Sequence, residues 1–209
     1  MASGGSCPVG MGSKKAADSA LNDANKMEPA NQQSAEGQAY ALPKERETSS
    51  IPNAEGQAWV YPSEQMFYNA MRRKGWTPRE EDMAAVVAIH NAVNERAWAQ
   101  VLAWERLHER ECPNPRLARF QGKPTEPSPR ARVRQLLGFK PPFDRHDWVV
   151  DRCGQEVTYL IDFYNGSAPA PGGPPAMFID ARPNITSVST LVDRTMMPFY
   201  RWAGIVKGV

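Results

Sequence analysis

Met83-Ala-Ala-Val-Val-Ala-Ile-His90-Asn-Ala-Val-Asn-Glu95-Arg-Ala-Trp98-Ala-Gln-Val-Leu-Ala-Trp104-Glu105 reads as one long helix. Met83, Val86, Val87, His90, Asn94, Ala97, Val101 and Trp104 recur at the three- and four-residue intervals that bring side chains to one helical face. Thr77-Pro78-Arg79-Glu80 is a capping box with proline at the first helical position. The helix is therefore expected from about 78 to 110, stopping before Cys112-Pro113-Asn114-Pro115.

Upstream, Ser63 after Pro62 is a good N-cap and Gly75 a good terminator for a helix near 64–74, with Met66, Phe67, Ala70 and Met71 as its buried stripe. Downstream, Ser128-Pro129 opens a third helix, with Val133, Leu136 and Leu137 inward and Gly138 at its end. Beyond Pro141-Pro142 the period changes from helix to strand. His146 to Asp151 and Glu156 to Tyr164 alternate around an Arg152-Cys153-Gly154 turn, a hairpin signature. A Pro/Gly loop from Ser167 to Pro175, read as mobile, separates the hairpin from a third strand, Met177 to Arg182, and a last helix from about Thr186 to Trp202. The expected fold class is α+β, one domain of about four helices on a small antiparallel sheet.

Residues 1–55 are rich in Ser, Gly, Ala, Asn, Gln and Pro, with Tyr40 the single aromatic. Such a stretch buries too little apolar area to offset its ordering entropy. It is read as a disordered tail, and the folded domain as 56–209. The tail holds five Lys/Arg and seven Asp/Glu, so the net charge of +2 comes from the remainder. That mild excess points to no nucleic acid, though it suits an anionic small ligand or a lipid surface. No apolar run approaches the ~18–20 residues of a spanning helix, and no secretory or matrix-targeting signature is present. Cys7, Cys112 and Cys153 are odd in number and widely spaced, which indicates neither a zinc knuckle nor a disulfide framework.

The histidines are His90, His108 and His146. In one continuous helix His90 and His108 would share a face, yet lie ~27 Å apart, too far to share a metal. Zinc asks for three or four protein ligands. Haem iron already has four from its porphyrin, so one imidazole holds it. A histidine on an apolar stripe is more often ordinary core; if His90 binds a metal, haem is the sensible one. Cys7-Pro8 and Cys112-Pro113 are weak Cys-Pro candidates for haem contact, against the plainer roles of free thiol and helix stop. Glu95 and Asp147 are the carboxylates placed to partner imidazoles, although solvated surface charge is the commoner role. Arg132, Arg134, Arg145 and Arg152 are the cations that could meet porphyrin propionates.

Several long motifs resemble the holocytochrome c synthase family, the cytochrome c-type haem lyases. They are Trp59-Val-Tyr-Pro-Ser-Glu-Gln-Met-Phe-Tyr-Asn-Ala-Met71, Lys74-Gly-Trp76, Ile89-His90-Asn91 with Asn94-Glu95 and Ala97-Trp98, Leu102-Ala-Trp104-Glu105, Ser128-Pro-Arg-Ala-Arg132, and Pro142-Phe-Asp-Arg-His-Asp-Trp-Val-Val-Asp-Arg-Cys-Gly154. The match runs over nearly all of residues 58–203. Two departures are the shorter stretch between Trp76 and His90 and the single Cys-Pro in the tail. The resemblance implies a lyase of the mitochondrial intermembrane space, peripherally attached to the inner membrane, that joins haem b covalently to apocytochrome c. It implies His90 as axial iron ligand, support from His146, and contributions to the haem site or its integrity from Trp59, Glu95 and Arg152. The substrate would bring an N-terminal helix and a C-x-x-C-H segment with the second axial histidine. A non-enzymatic haem carrier or sensor is the alternative on the same residues.

Overall fold

The computed structural model describes residues 22, 31–166 and 176–204. Strands β1 (Thr48–Pro52) and β2 (Ala58–Val60) precede helices α1 (Glu64–Arg73) and α2 (Met83–Glu105); β3 (Arg116–Gly122), α3 (Pro129–Leu136), β4 (Asp144–Arg152), β5 (Gln155–Asn165), β6 (Met177–Pro183) and α4 (Val188–Trp202) follow. The α+β expectation holds, with four α-helices among the described residues. β3-β4-β5-β6 form one antiparallel sheet and β1-β2 a second, so the sheet structure exceeds the expected hairpin plus third strand.

Three caps behave as their residue types dictate, whereas the Thr77 capping box does not form and α2 is entered through a 3-10 turn at Glu80–Asp82 without a side-chain cap. Ser63 accepts from Met66 N, Ser128 from Ala131 N, and Ser187 pairs reciprocally with Thr190. Cys153 and Gly154 both take positive φ, as a two-residue hairpin turn requires, and Asp151 accepts from Gly154 N.

α2 covers the inner face of the four-stranded sheet. Ala97, Trp98, Val101 and Trp104 pack there on Trp148, Val150, Tyr159 and Ile161. The face found by periodicity is the buried one, but it carries polar groups as well, Asn91 and Glu105. The helix ends at Glu105, and His108 lies in a separate 3-10 turn, so the assumption of one continuous helix to 110 fails. There His108 bonds Asp193 on α4 at 2.9 Å.

Four expectations need correction. The ordered chain begins before residue 56: Leu42 and Ile51 are buried, and β1 pairs with β2. This segment orders through polar contacts rather than apolar mass. Asn69 donates to Asn31 O and Gln33 O, and Glu80 accepts from the backbone of Ala39 and Tyr40. The same segment buries the polar side of α1, at Gln65 and Asn69, so Met66, Phe67 and Met71 stay half-buried. On α3 only Ala131 is buried, and Val133, Leu136 and Leu137 face solvent. There the docking contact is Ser128, whose hydroxyl bonds Asp162 and Arg182 on the outer face of the sheet.

The fourth correction concerns cysteine. Cys112 and Cys153 form a disulfide across 41 residues, tying the chain after α2 to the β4–β5 turn. A Cys112 engaged in this bond offers haem no thiolate. Cys7 and the loop 167–175 lie outside the described residues. Removing the crosslink frees a loop of that size in the unfolded chain, worth about 4 kcal/mol. The Cys112→Ser/Cys153→Ser variant is accordingly expected to unfold at a lower urea midpoint, with nearly unchanged native circular dichroism.

Candidate functional site

Side chains link α2 to β4 near both ends, and the rises of the two elements agree with that pairing. From His90 to Glu105 is fifteen helical residues, roughly 22 Å. From His146 to Arg152 is six strand residues, roughly 20 Å. Glu105 and Arg152 are paired at one end, so His90 and His146 come together at the other. They are close enough that His146 helps depress the pKa of His90.

The His90 ring is half-buried and its ring neighbours are aromatic. Phe67 meets it edge-on at 5.0 Å between centroids and Tyr61 at 5.9 Å. His146 packs against Phe163 at 5.3 Å, and Phe163 against the exposed Phe143 at 6.4 Å. The Lys74 charge lowers the pKa of Asp144, which holds His146 Nε2 at 3.2 Å. The outcome is two imidazoles set among aromatic rings, with the Lys74 charge acting on the carboxylate that holds one of them.

Hydrogen bonding sets the tautomer of His90. Asn91 Nδ2 donates to Glu47 at 2.7 Å, so Asn91 turns its Oδ1 to His90 Nδ1 at 3.2 Å. An amide oxygen only accepts, and His90 Nδ1 must therefore carry the proton. The lone pair is left on Nε2, where the Asn94 amide donates at 3.1 Å while also holding the His90 carbonyl at 2.8 Å. A carboxylate–amide–imidazole chain of this kind orients metal-ligating histidines and raises their basicity. The partners of the imidazoles are thus Asn91, Asn94 and Asp144. Glu95 and Asp147 do not serve; Asp147 pairs with Arg145 and Lys123.

Burial alone would push the Glu95 carboxyl up, but hydrogen bonds from Ser49, Ser50 and Tyr61 hold it below the usual range. Ser49 Oγ lies at 2.6 Å and Tyr61 OH at 2.9 Å. Glu95 therefore locks β1 to α2 and fixes the tyrosine whose ring edges His90. Trp59 donates to Leu117 O at 3.2 Å and packs on Phe120 at 5.3 Å, flanking the sheet at β3. His146 Nδ1 is buried without a partner.

Arg152 is not brought to His90. Roughly 20 Å along β4, it forms a bidentate pair with Glu105 at 2.7 and 2.8 Å, and Tyr159 donates to the same carboxylate. Arg132 and Arg145 are engaged elsewhere, and Arg134 stacks on Phe139. Lys74, quoted in the Lys74-Gly-Trp76 motif but not among the propionate candidates, is the cation whose charge reaches Asp144 beside His146. Among the described residues no group of three or more metal-binding side chains forms. No helix among them is long and apolar enough to cross a membrane.

Burial holds the pKa of His90 below its ordinary value. Above about pH 6.5 the imidazole is neutral in both folded and unfolded chains and adds no pH dependence. As pH falls through that value, the unfolded chain takes up a proton that the folded chain refuses. Stability then drops until the lower folded pKa is reached. The His90→Gln variant is expected to lose less stability than wild type over this range, measured as urea midpoints at successive pH values.

Residues 6–198 match the family described as Cytochrome c/c1 heme lyase. The chain is 47% identical to a holocytochrome c-type synthase of Gallus gallus over 94% of this chain and 74% of that one. It is 45% identical to a holocytochrome c-type synthase of Homo sapiens over 87% of this chain and 70% of that one. A putative holocytochrome-c1 synthase of Schizosaccharomyces pombe is 47% identical over 77% and 75% of the two chains. No solved structure matches.

Proposed function

We propose, from the premise that this chain belongs to the cytochrome c/c1 haem lyase family and is a haem lyase for cytochrome c, that it holds haem b by His90 and closes both thioether bonds to the substrate's C-x-x-C-H segment. The observation that carries the proposal is the Glu47–Asn91–His90 chain, which leaves the imidazole lone pair on Nε2, beside the rings of Phe67 and Tyr61. Asn94 now occupies that nitrogen, so its amide would have to yield for His90 to ligate iron.

The bond-forming step is an addition. Each substrate thiol adds across a vinyl C=C, sulfur bonding one carbon and the proton ending on the other. Nothing leaves and no oxidant is consumed, so the enzyme needs no nucleophile of its own. Free thiols, with pKa near 8.5, are mostly protonated at neutral pH. The enzyme's contribution is positioning. His90 fixes the iron from one side, the substrate histidine caps the other, and each cysteine is held against its vinyl group. Orientation of this kind can supply about 7 kcal/mol or more. His146, with its orphaned Nδ1, supports the haem from β4. Tyr61, Phe67 and Phe163 supply apolar wall, and Lys74 meets a propionate. The half-buried Met66, Phe67 and Met71 face the N-terminal helix of the substrate.

The Cys112–Cys153 disulfide suits an oxidising compartment. The reading places the enzyme in the mitochondrial intermembrane space, peripherally attached to the inner membrane. The test is incubation with haem, a reductant and apocytochrome c. Haem that stays on the substrate through denaturing electrophoresis is the expected result; haem lost on denaturation would leave a carrier instead. The Asn91→Leu change removes the acceptor that sets the tautomer and is expected to weaken haem retention about 10- to 100-fold, read from a titration at the Soret band.

A further inference from the structure

The outward side of α4 is almost wholly apolar. Val188, Leu191, Val192, Met196, Phe199 and Trp202 fall within an arc of about 140° on the helix, interrupted by Thr195 alone. Trp202 is 83% exposed and Phe199 53%, so no other element of the described chain covers this stripe. The carboxylate of the helix, Asp193, is turned inward against His108 and Arg152. What α4 shows to solvent therefore carries no carboxylate.

Beside the stripe lies a groove of about 650 Å³ between α2, β6 and α4. Arg96, Arg194 and Arg201 line it, and among the described residues none of the three has a carboxylate within ion-pair distance. Arg130 and Arg182 also reach the groove and share Asp180, each at 3.1 Å. Burial, and then the charges of Arg182 and Arg130, hold the pKa of Arg194 below its ordinary value against the smaller opposing pull of Asp180.

We propose that this face of α4 and its arginine groove dock the protein on an anionic phospholipid surface, the apolar stripe entering the headgroup–acyl boundary and the arginines meeting lipid phosphates. An apolar face ending in tryptophan and edged by arginine is the composition of helices that lie in a membrane interface. Two other occupants fit less well. A two-fold dimer through the stripe would set one arginine edge against its own copy. An added β-strand has no edge to pair with, because Gln100 already bonds Ile179 O and Ala181 N while Trp104 bonds Ala181 O.

The inference rests on the proposed membrane attachment only for which membrane is met, and vesicle binding is measured without haem or substrate. Failure here therefore leaves the lyase reading untouched, and the reverse also holds. The full chain is sedimented with vesicles of phosphatidylcholine alone and of phosphatidylcholine mixed with phosphatidylglycerol. Partition into the anionic vesicles only is expected, falling with added salt. The Arg194→Gln/Arg201→Gln variant should bind at least about tenfold more weakly, and Phe199→Ser/Trp202→Ser should lose binding. Tyr40→Ser, at an exposed aromatic outside the stripe, should bind like wild type. Brominated acyl chains should quench emission in wild type, with that quenching reduced in Trp202→Phe. Equal binding to both vesicles, no binding to either, or a vesicle-free dimer dissolved by Phe199→Ser/Trp202→Ser would each overturn the proposal.

Discussion

Replacing His90 by Ala is expected to leave a folded protein that retains no haem and forms no holocytochrome c. The change removes the imidazole whose lone pair the Glu47–Asn91 chain leaves on Nε2. On the proposed reading, haem without that ligand keeps His146, Lys74 and the rings of Tyr61, Phe67 and Phe163, which together fix neither the iron nor the vinyl groups against the substrate thiols. His108→Ala is the matched control. His108 is tied to Asp193 at 2.9 Å, at the far end of α2, and its loss is expected to cost about 1 kcal/mol of stability with haem retention intact. The absorption spectrum of each protein as isolated reads the first effect, and haem stain on denatured substrate the second. Equal losses from the two substitutions would refute the assignment of His90.

Periodicity found the long helix because its buried face recurs at regular intervals, and the hairpin because alternation and a Gly-bearing turn coincide. It missed β3, where Arg116, Arg119 and Gln121 break the apolar pattern and a register shift follows Leu117. It missed β1 for a related reason: Ser49 and Ser50 order that strand by bonding Glu95, a gain that hydropathy does not register. The Cys112–Cys153 pairing depends on the helix ending near the β4–β5 turn, a relation between distant segments. At the site, His90 stood out by chemical type. Glu47, Asn91 and Asn94 carry no such mark alone, because an amide becomes a director of tautomers only when its partners on two elements are known. The arginines guessed for propionates were chosen by charge. Charge does not say which are already neutralised, and Arg145 and Arg152 are.

Arg152 shows what that distinction means in energy. Its guanidinium and the Glu105 carboxylate are each 3% exposed. Burial alone would lower the pKa of Arg152, yet the hydrogen bonds and charge of Glu105 hold it above the ordinary value. Arg152→Ala strands that carboxylate beside Tyr159, with Asp193 deprived of the cation 3.8 Å away. A buried charge left without its partner costs about 3–5 kcal/mol, against a total stability of about 5–15 kcal/mol. Arg152→Ala is therefore expected to populate unfolded protein near physiological temperature, read as a large drop in urea midpoint. Arg152→Met with Glu105→Met should recover much of the loss, because neither charge is then buried alone. Haem bound per folded molecule should stay near wild type in the double variant, since the pair stands roughly 20 Å from the imidazoles. A double variant that is stable yet cannot hold haem would instead make this ion pair part of the haem site, as the family resemblance allows.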